Sequence, residues 1–300
     1  MTDGFRSGFV TIIGRPNVGK STLLNAIIGQ KVAIISPKPQ TTRHRIRSVL
    51  TRDDAQIIFV DTPGIHKPRH RLGEYMVDAA LQTLKEVDLI LFVTEADKDF
   101  GSGDEFIIKQ LEGIKTPVFL VLNKIDKIPR LQILPVIDRT KERFPFAEIF
   151  PVSATRGENL DRLVDTIVKY LPEGPRYYPE DTVTDQPEQV MMAELVREKI
   201  LHLTSQEIPH SVAVVVEDLQ SRPKNVTLVR ATIYVERDSQ KAILIGQGGQ
   251  MLKRIGQEAR KEIEGLVGMK VFLELWVKVK ENWRDDERYL QQWGFKSTKH

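Results

Sequence analysis

The residues with the plainest chemical use begin at Gly14. Gly14-Arg15-Pro16-Asn17-Val18-Gly19-Lys20-Ser21 fits the G-x-x-x-x-G-K-[ST] spacing. It follows an apolar strand-like run and opens a helical pattern, which is the context that spacing requires. Glycines let the backbone curl so that several N–H groups face one anion, and the helix N-terminus adds its dipole. Lys20 supplies positive charge for the outer phosphates, and Ser21, with Thr22 behind it, offers a hydroxyl to Mg2+. Asp61-Thr62-Pro63-Gly64 ends a later apolar run. A carboxylate at a strand end opposite the first loop is where a metal-orienting group belongs, and the Gly64 N–H can meet the terminal phosphate; taken alone, the same four residues also read as an ordinary turn.

Asn123-Lys124-Ile125-Asp126 follows another apolar run. Guanine presents N1–H and an amino group side by side, and an ionised Asp126 carboxylate accepts from both. Adenine lacks that donor pair, so a site built on Asp126 rejects it. Ser153-Ala154 ends a further run and is a candidate for backbone contact with the base oxygen. Far downstream, Ile245-Gly246-Gln247-Gly248-Gly249 lies between two helical patterns, with Lys253 and Arg254 one turn on and Arg260 and Lys261 beyond. A G-x-x-G turn lets a sugar–phosphate backbone approach the next helix's N-terminus, as KH domains do with single strands. The same glycines also serve as a plain helix-breaking turn, and the basic residues as a solvated face.

The elements that must position these residues are legible as periodicities. Phe9–Ile13, Gln56–Val60, Leu89–Val93, Val118–Leu122 and Glu148–Val152 read as strands. Lys20–Ile28, Glu74–Leu84, Asp104–Leu111, Leu131–Arg143 and Leu160–Tyr170 read as helices. This alternation predicts an α/β domain with a mostly parallel sheet and helices on both faces. Prolines cluster after residue 171, so residues 1–172 are expected to form the first domain, 173–186 a linker and 187–300 a second domain. The second domain reads α-β-β-α-α-β, with Met192, Val196, Ile200 and Leu203 at helical spacing and Val271, Leu273, Leu275, Val277 and Val279 alternating as a half-buried strand. A helical tail is expected over Arg284–Trp293, and core packing is the favoured use of Trp276, Trp283 and Trp293, with stacking on RNA the alternative.

The formal charge is +3, so any nucleic-acid site must be a local patch. No cysteine is present, which excludes disulfides and thiolate zinc sites and suits a reducing compartment. No apolar run approaches the roughly 20 residues a spanning helix needs. A cytoplasmic, monomeric protein is expected, with peripheral membrane association left open.

The four nucleotide motifs in this order resemble the translation-factor-like GTPases. The resemblance implies a P-loop GTPase domain with one antiparallel strand in its sheet, and makes Gln40-Thr41-Thr42-Arg43-His44 the first switch. Thr42 is then the expected Mg2+ ligand beside Ser21 and Asp61, with Thr41 second. Where GTPases such as Ras place a water-orienting glutamine, this chain has Ile65, so slow unaided hydrolysis is expected. His66 and His70 are read as switch-loop residues and not as general bases. Asn17 resembles the loop asparagine by which some members of the Era/TrmE-like GTPase family hold K+; a loop-stabilising amide is the other reading. Lys20, Thr42, Gly64 and Asn17 are accordingly the residues expected to serve hydrolysis.

A GTPase domain joined to a type II KH domain resembles the Era branch of that family. Leu273-Glu274-Leu275-Trp276-Val277-Lys278-Val279-Lys280, Trp283 and Asp285-Asp286-Glu287-Arg288 carry the likeness to the end of the chain, which runs from about Gly8 to Gly294. It implies GTP and GDP as ligands, Mg2+ as cofactor and small-subunit ribosomal RNA, single-stranded near its 3′ end, as partner in assembly of the small ribosomal subunit. The GTP state is expected to reorient the domains about the linker. Two other readings stand beside this one: a second domain that docks a protein or membrane, and a GTPase serving RNA modification.

Overall fold

The computed structural model describes residues 4–295 except 39–40, 44, 66–67, 69, 206–207 and 224. Gln40, His44 and His66 therefore lie outside the described residues. The first domain runs β1 (Arg6–Ile13), α1 (Lys20–Ile28), β2 (Ile46–Thr51), β3 (Ala55–Asp61), α2 (Arg71–Thr83), β4 (Leu89–Glu95), α3 (Ser102–Leu111), β5 (Val118–Asn123), α4 (Ile133–Thr140), β6 (Glu148–Pro151) and α5 (Leu160–Tyr170). Its strands lie in the order β2-β3-β1-β4-β5-β6, with β2 antiparallel to β3 and the rest parallel.

Apolar runs without alternation are what a sheet covered on both faces needs. In β4, Leu89, Leu91 and Val93 join a core with α1 and α5, while Ile90 and Phe92 join another with α2, α3 and α4. Because β1 is flanked by β3 on one side and β4 on the other, the crevice at their carboxyl ends is the position where open α/β sheets bind ligands.

Three elements differ from the periodic reading. β2 is absent from it, because Ile46–Thr51 carries exposed Arg47 at the sheet's edge and shows no clean alternation. The helix expected from Leu131 begins at Ile133 behind a 3-10 turn, since Pro135 is tolerated only in a first turn; a second 3-10 turn ends it at Lys141–Arg143. The segment expected as a linker is strapped to the first domain. Gln56 Oε1 accepts from the Tyr177 and Tyr178 amides (2.8 and 3.0 Å), and Gln56 Nε2 donates to Tyr178 O (2.9 Å) and Thr51 Oγ1 (3.0 Å). Val49 N donates to Val183 O (2.8 Å), and Gly174 N to Phe5 O (3.0 Å). Little unattached chain is left before the second domain begins.

That domain runs α6 (Glu188–Leu203), α7 (Ile208–Ser211), β7 (Ala213–Arg222), β8 (Val226–Val235), α8 (Asp238–Ile245), α9 (Gln250–Val267), β9 (Lys270–Val279) and α10 (Glu287–Gln292). Apart from the single turn α7 and the tail helix α10, this is the expected α-β-β-α-α-β order. The sheet is β7-β8-β9, antiparallel then parallel. Met192, Val196 and Ile200 of α6 meet Ile255, Ala259 and Ile263 of α9 over Val229, Ile233 and Val235 of β8. Ile34 of the first domain is buried in the same core.

The three tryptophans divide. Trp283 is fully buried and donates Nε1–H to Ser211 O (2.9 Å). Trp293 stacks on Tyr234 at 4.6 Å between ring centroids. Trp276, expected in a core, is 61% exposed, because its even register on the edge strand β9 puts it on the outer face of the sheet. Leu72 and Met76 of α2 pack with Trp283, Leu290 and Phe295, so the tail bridges the domains.

The strap gives a direct expectation. Gln56→Leu removes four hydrogen bonds, and tryptic cleavage at Arg176 is expected to become about tenfold faster. Cleavage at the wild-type rate would mean that other contacts hold the segment.

Candidate nucleotide and nucleic-acid sites

The loop between β1 and α1 turns through residues that need unusual backbone. Gly14 has φ 153°, and a Cβ there would sit 2.4 Å from Val93 O. Gly19 has φ 100°, and its Cβ would sit 2.3 Å from Asn123 Nδ2. Asn17 takes φ 68° and is exposed, a conformation asparagine tolerates. Arg15 turns its side chain away, donating Nε–H to the buried Asp104 of α3 (2.8 Å). Asp104 also accepts from Gly101 N (2.9 Å), which ties the loop to the α3 N-terminus.

Charge is buried at the end of this loop. Lys20 is 7% exposed and donates to Gly14 O (3.0 Å) and Arg15 O (2.9 Å). Burial pulls its ammonium down to about 8, against the opposing pull of Asp61. Asp61, at the end of β3, is fully buried and pushed up to about 6 by burial, with Lys20 and its hydrogen bonds working the other way. Asp61 Oδ2 accepts from Thr42 Oγ1 (3.1 Å) and, loosely, from Ser21 Oγ (3.5 Å); the two hydroxyls are 3.2 Å apart. Among the described residues, Asp61 Oδ1 has no hydrogen-bond partner. A carboxylate oxygen left unpaired beside two hydroxyls is the donor set a hard, oxygen-seeking cation takes, so these residues fit Mg2+. Thr41 turns elsewhere, donating to Lys38 O (2.7 Å).

On the far side of the loop, Asn123 Nδ2 donates to Val18 O (2.9 Å) and Asn123 Oδ1 accepts from Ala154 N (3.1 Å). Asp126 accepts from Ser153 Oγ (2.6 Å), which holds its carboxyl below the usual range and keeps it an acceptor. Sequence reasoning gave Ser153 only a backbone use; its hydroxyl orients Asp126. Lys124 donates to Asn17 O (2.7 Å) and pairs with Glu95. Burial alone would raise the Glu95 carboxyl, but bonds from Lys124 and Lys98 outweigh it and hold it low. A cavity of about 520 Å³, a volume suited to a small ligand, is lined by Asn17, Lys20, Ser21, Thr42, Gly64 and Lys124; Asp126, Ser153 and Ala154 lie outside its lining. Thr62 is buried against β1, donating to Ile12 O (3.3 Å), and Pro63 leads to Gly64 at the cavity wall. Ile65 is 1% exposed and packs into the α2–α3 core. His70 lies 3.6 Å from Asp285 of the tail, outside the cavity.

In the second domain, Gly246, Gly248 and Gly249 all have positive φ (71°, 58° and 77°). A Cβ at Gly246 would strike Met251 (2.7 Å), whereas Gly248 and Gly249 face open space. Gln247 is exposed beside them. A groove of about 380 Å³ runs from Gly249 along Lys253, Gly256 and Arg260 of α9 to Phe272 and Leu273 of β9. The helical positions fall at spacings of four and three, which is one face. Gly256 was missed by sequence reasoning; a glycine inside a helical pattern is the signal that marks it. Arg254 lies off this face and pairs with Glu258 (2.9 Å), and Ile245 does not line the groove.

Comparison with known proteins agrees with both halves. Residues 9–124 match the family model described as 50S ribosome-binding GTPase, and residues 207–284 match the KH domain model. A Tyr-to-Ala variant of Aquifex aeolicus Era bound to GDP·AlF4− is similar over 97% of this chain and 99% of that one, with 46% identity and a TM-score of 0.94. The same figures hold for Era in complex with MgGDPNP and nucleotides 1506–1542 of 16S ribosomal RNA. With that likeness running through the phosphate loop, the buried Asp61 corner and the glycine turn of the second domain alike, the chain belongs to the Era family of GTPases.

Proposed function

We propose that the chain is a GTP-hydrolysing, RNA-binding switch that takes single-stranded small-subunit ribosomal RNA near its 3′ end and assists assembly of the small ribosomal subunit. The observation that carries the reading is the convergence of Ser21, Thr42 and Asp61 beside Lys20, in a chain that also holds a glycine-edged groove. The Era complex with MgGDPNP and 16S ribosomal RNA, similar over nearly the whole chain, supports the choice of ligand and partner. Action on ribosomal RNA supports a cytoplasmic reading; separately, no described helix is long and apolar enough to cross a membrane.

In this reading the amides of residues 14–21 wrap the phosphates and Lys20 meets the β- and γ-oxygens. Ser21, Thr42 and Asp61 hold Mg2+, which neutralises charge on those oxygens when bound. Water attacks the γ-phosphorus in line, the bond to the bridging oxygen breaks, GDP leaves, and the water proton passes to the released phosphate. In this reading the Gly64 N–H would meet the terminal phosphate. Ile65 is buried and has no polar atom in its side chain, so orientation of the water falls to backbone groups or to a bound partner, and unaided turnover is slow.

Asp126 selects the base. Asp126→Asn exchanges acceptor for donor, and nucleotide competition is expected to show preference moving from guanine to xanthine by at least about a hundredfold. Retained guanine preference would put the base elsewhere.

Lys253 faces the groove and Arg254 does not. Lys253→Glu is expected to weaken single-stranded RNA binding by about tenfold or more at fixed salt, and Arg254→Glu by much less. Equal losses would mean that charge, not position, governs binding.

Asn17 lines the nucleotide cavity, and its side-chain amide has no partner among the described residues. We assign it to K+, whose charge beside the phosphates would do an arginine finger's work. Hydrolysis is then faster in KCl than in NaCl, and Asn17→Ala removes the difference; equal wild-type rates in the two salts contradict it.

A further inference from the structure

The first switch is gripped by the second domain on both sides of Thr42. One face of α6 carries Glu194, Arg197, Glu198 and His202, at helical spacing. Arg197 donates to Thr41 O. Glu198 accepts from Ile35 N (2.9 Å) and Lys31 Nζ (2.6 Å), and His202 Nε2 bonds Ile35 O (2.8 Å). Arg43 enters the second domain itself. It is 4% exposed and donates to Val212 O (2.5 Å), His210 O (3.2 Å) and Pro209 O (3.3 Å), with its guanidinium 5.8 Å from the Trp283 ring centroid. The last carbonyls of a helical turn lack intrahelical donors and carry negative potential. At the end of α7, Arg43 and the Trp283 N–H satisfy four such carbonyls in succession, from Pro209 to Val212.

Thr42 turns into the first domain, to Ser21 and Asp61, and Arg43 turns into the second. We propose that Arg43 is a positioning residue for GTP hydrolysis: by caging its guanidinium, the α7 turn and the tail of the RNA-binding domain set the place of the Thr42 hydroxyl. The inference rests on reading Thr42 as the Mg2+-side hydroxyl of the nucleotide site. It makes the KH domain and Trp283 a structural part of the GTPase site, and it gives RNA bound to the second domain a short covalent route to the metal.

The test uses the full chain as wild type, Arg43→Ala and Arg43→Lys. GDP affinity reports the phosphate loop, and the Mg2+ concentration for half-maximal single-turnover hydrolysis reports the placement of Thr42. Arg43→Ala is expected to raise that Mg2+ concentration about tenfold and slow the single turnover about tenfold, with GDP affinity within about twofold of wild type. Arg43→Lys, which keeps a cation but makes fewer carbonyl bonds, falls between. Wild-type Mg2+ demand and rate in Arg43→Ala would overturn the inference. If Arg43→Ala loses GDP as well, Arg43→Lys decides: raised Mg2+ demand at wild-type GDP affinity supports the role, and unchanged demand refutes it. A wild-type protein that does not hydrolyse Mg2+·GTP would sink the functional reading, and this inference with it.

Discussion

Two opposite charges are buried in one corner of this protein, and neither is fully provided for by the described residues. Lys20 rests on two loop carbonyls, and Asp61 on two hydroxyls with one oxygen unpaired among the described residues. Burial pushes both toward neutrality, to about 8 and about 6. Desolvated charges of this kind are a cost in a bare fold, and they cluster where a ligand of complementary charge completes the electrostatics. The α/β sheet exists, functionally, to hold this corner. β1 and β3 run parallel and adjacent, so their carboxyl ends deliver the glycine loop and Asp61 to the same place.

The corner is not closed by the first domain alone. Its third oxygen group, the Thr42 hydroxyl, comes from a segment whose neighbours are bonded to α6, α7 and the tail. The nucleotide corner and the second domain therefore meet at one segment. A ligand shifts a conformational equilibrium only through differential contacts, and Thr42, which this reading gives to the nucleotide site, is adjacent in sequence to Arg43, which the second domain holds. The strap over Gln56 matters for the same reason. With residues 172–184 bound to the first domain, the domains stay close and the Arg43 contact is intramolecular at short tether.

Much of this was legible in the residues. The spacing from Gly14 to Ser21 carries its own backbone requirement, so the loop and the helix Lys20–Ile28 follow directly. Asp61 is readable because it ends an apolar run that forms a buried strand, and Asp126 because it follows such a run by three residues, in the turn after Asn123. The second domain's order was legible from periodicity, since α6 and α9 each show a stripe and β9 alternates. What was not legible depends on partners distant in sequence. Nothing local separates Arg43 from a solvated switch residue, or the Glu194–Arg197–Glu198 face from an ordinary charged helix surface. Ser153 read as a loop residue because its hydroxyl finds Asp126 only in three dimensions. Trp276 misled for the converse reason: a large aromatic predicts burial, and register on an edge strand put it outside.

In the proposed account, coupling between the triphosphate corner and the RNA groove runs through the first switch, and coupling between sites is reciprocal. The most direct measurement is a closed thermodynamic cycle in the full-length protein: affinity for a single-stranded RNA from the 3′ end of 16S ribosomal RNA with Mg2+·GDPNP and with Mg2+·GDP bound, and affinity for each nucleotide with and without that RNA. The expected result is that GDPNP changes RNA affinity, relative to GDP, by about fivefold or more, and that RNA changes the GDPNP-to-GDP preference by the same factor. Identical RNA affinities in the two nucleotide states would contradict it.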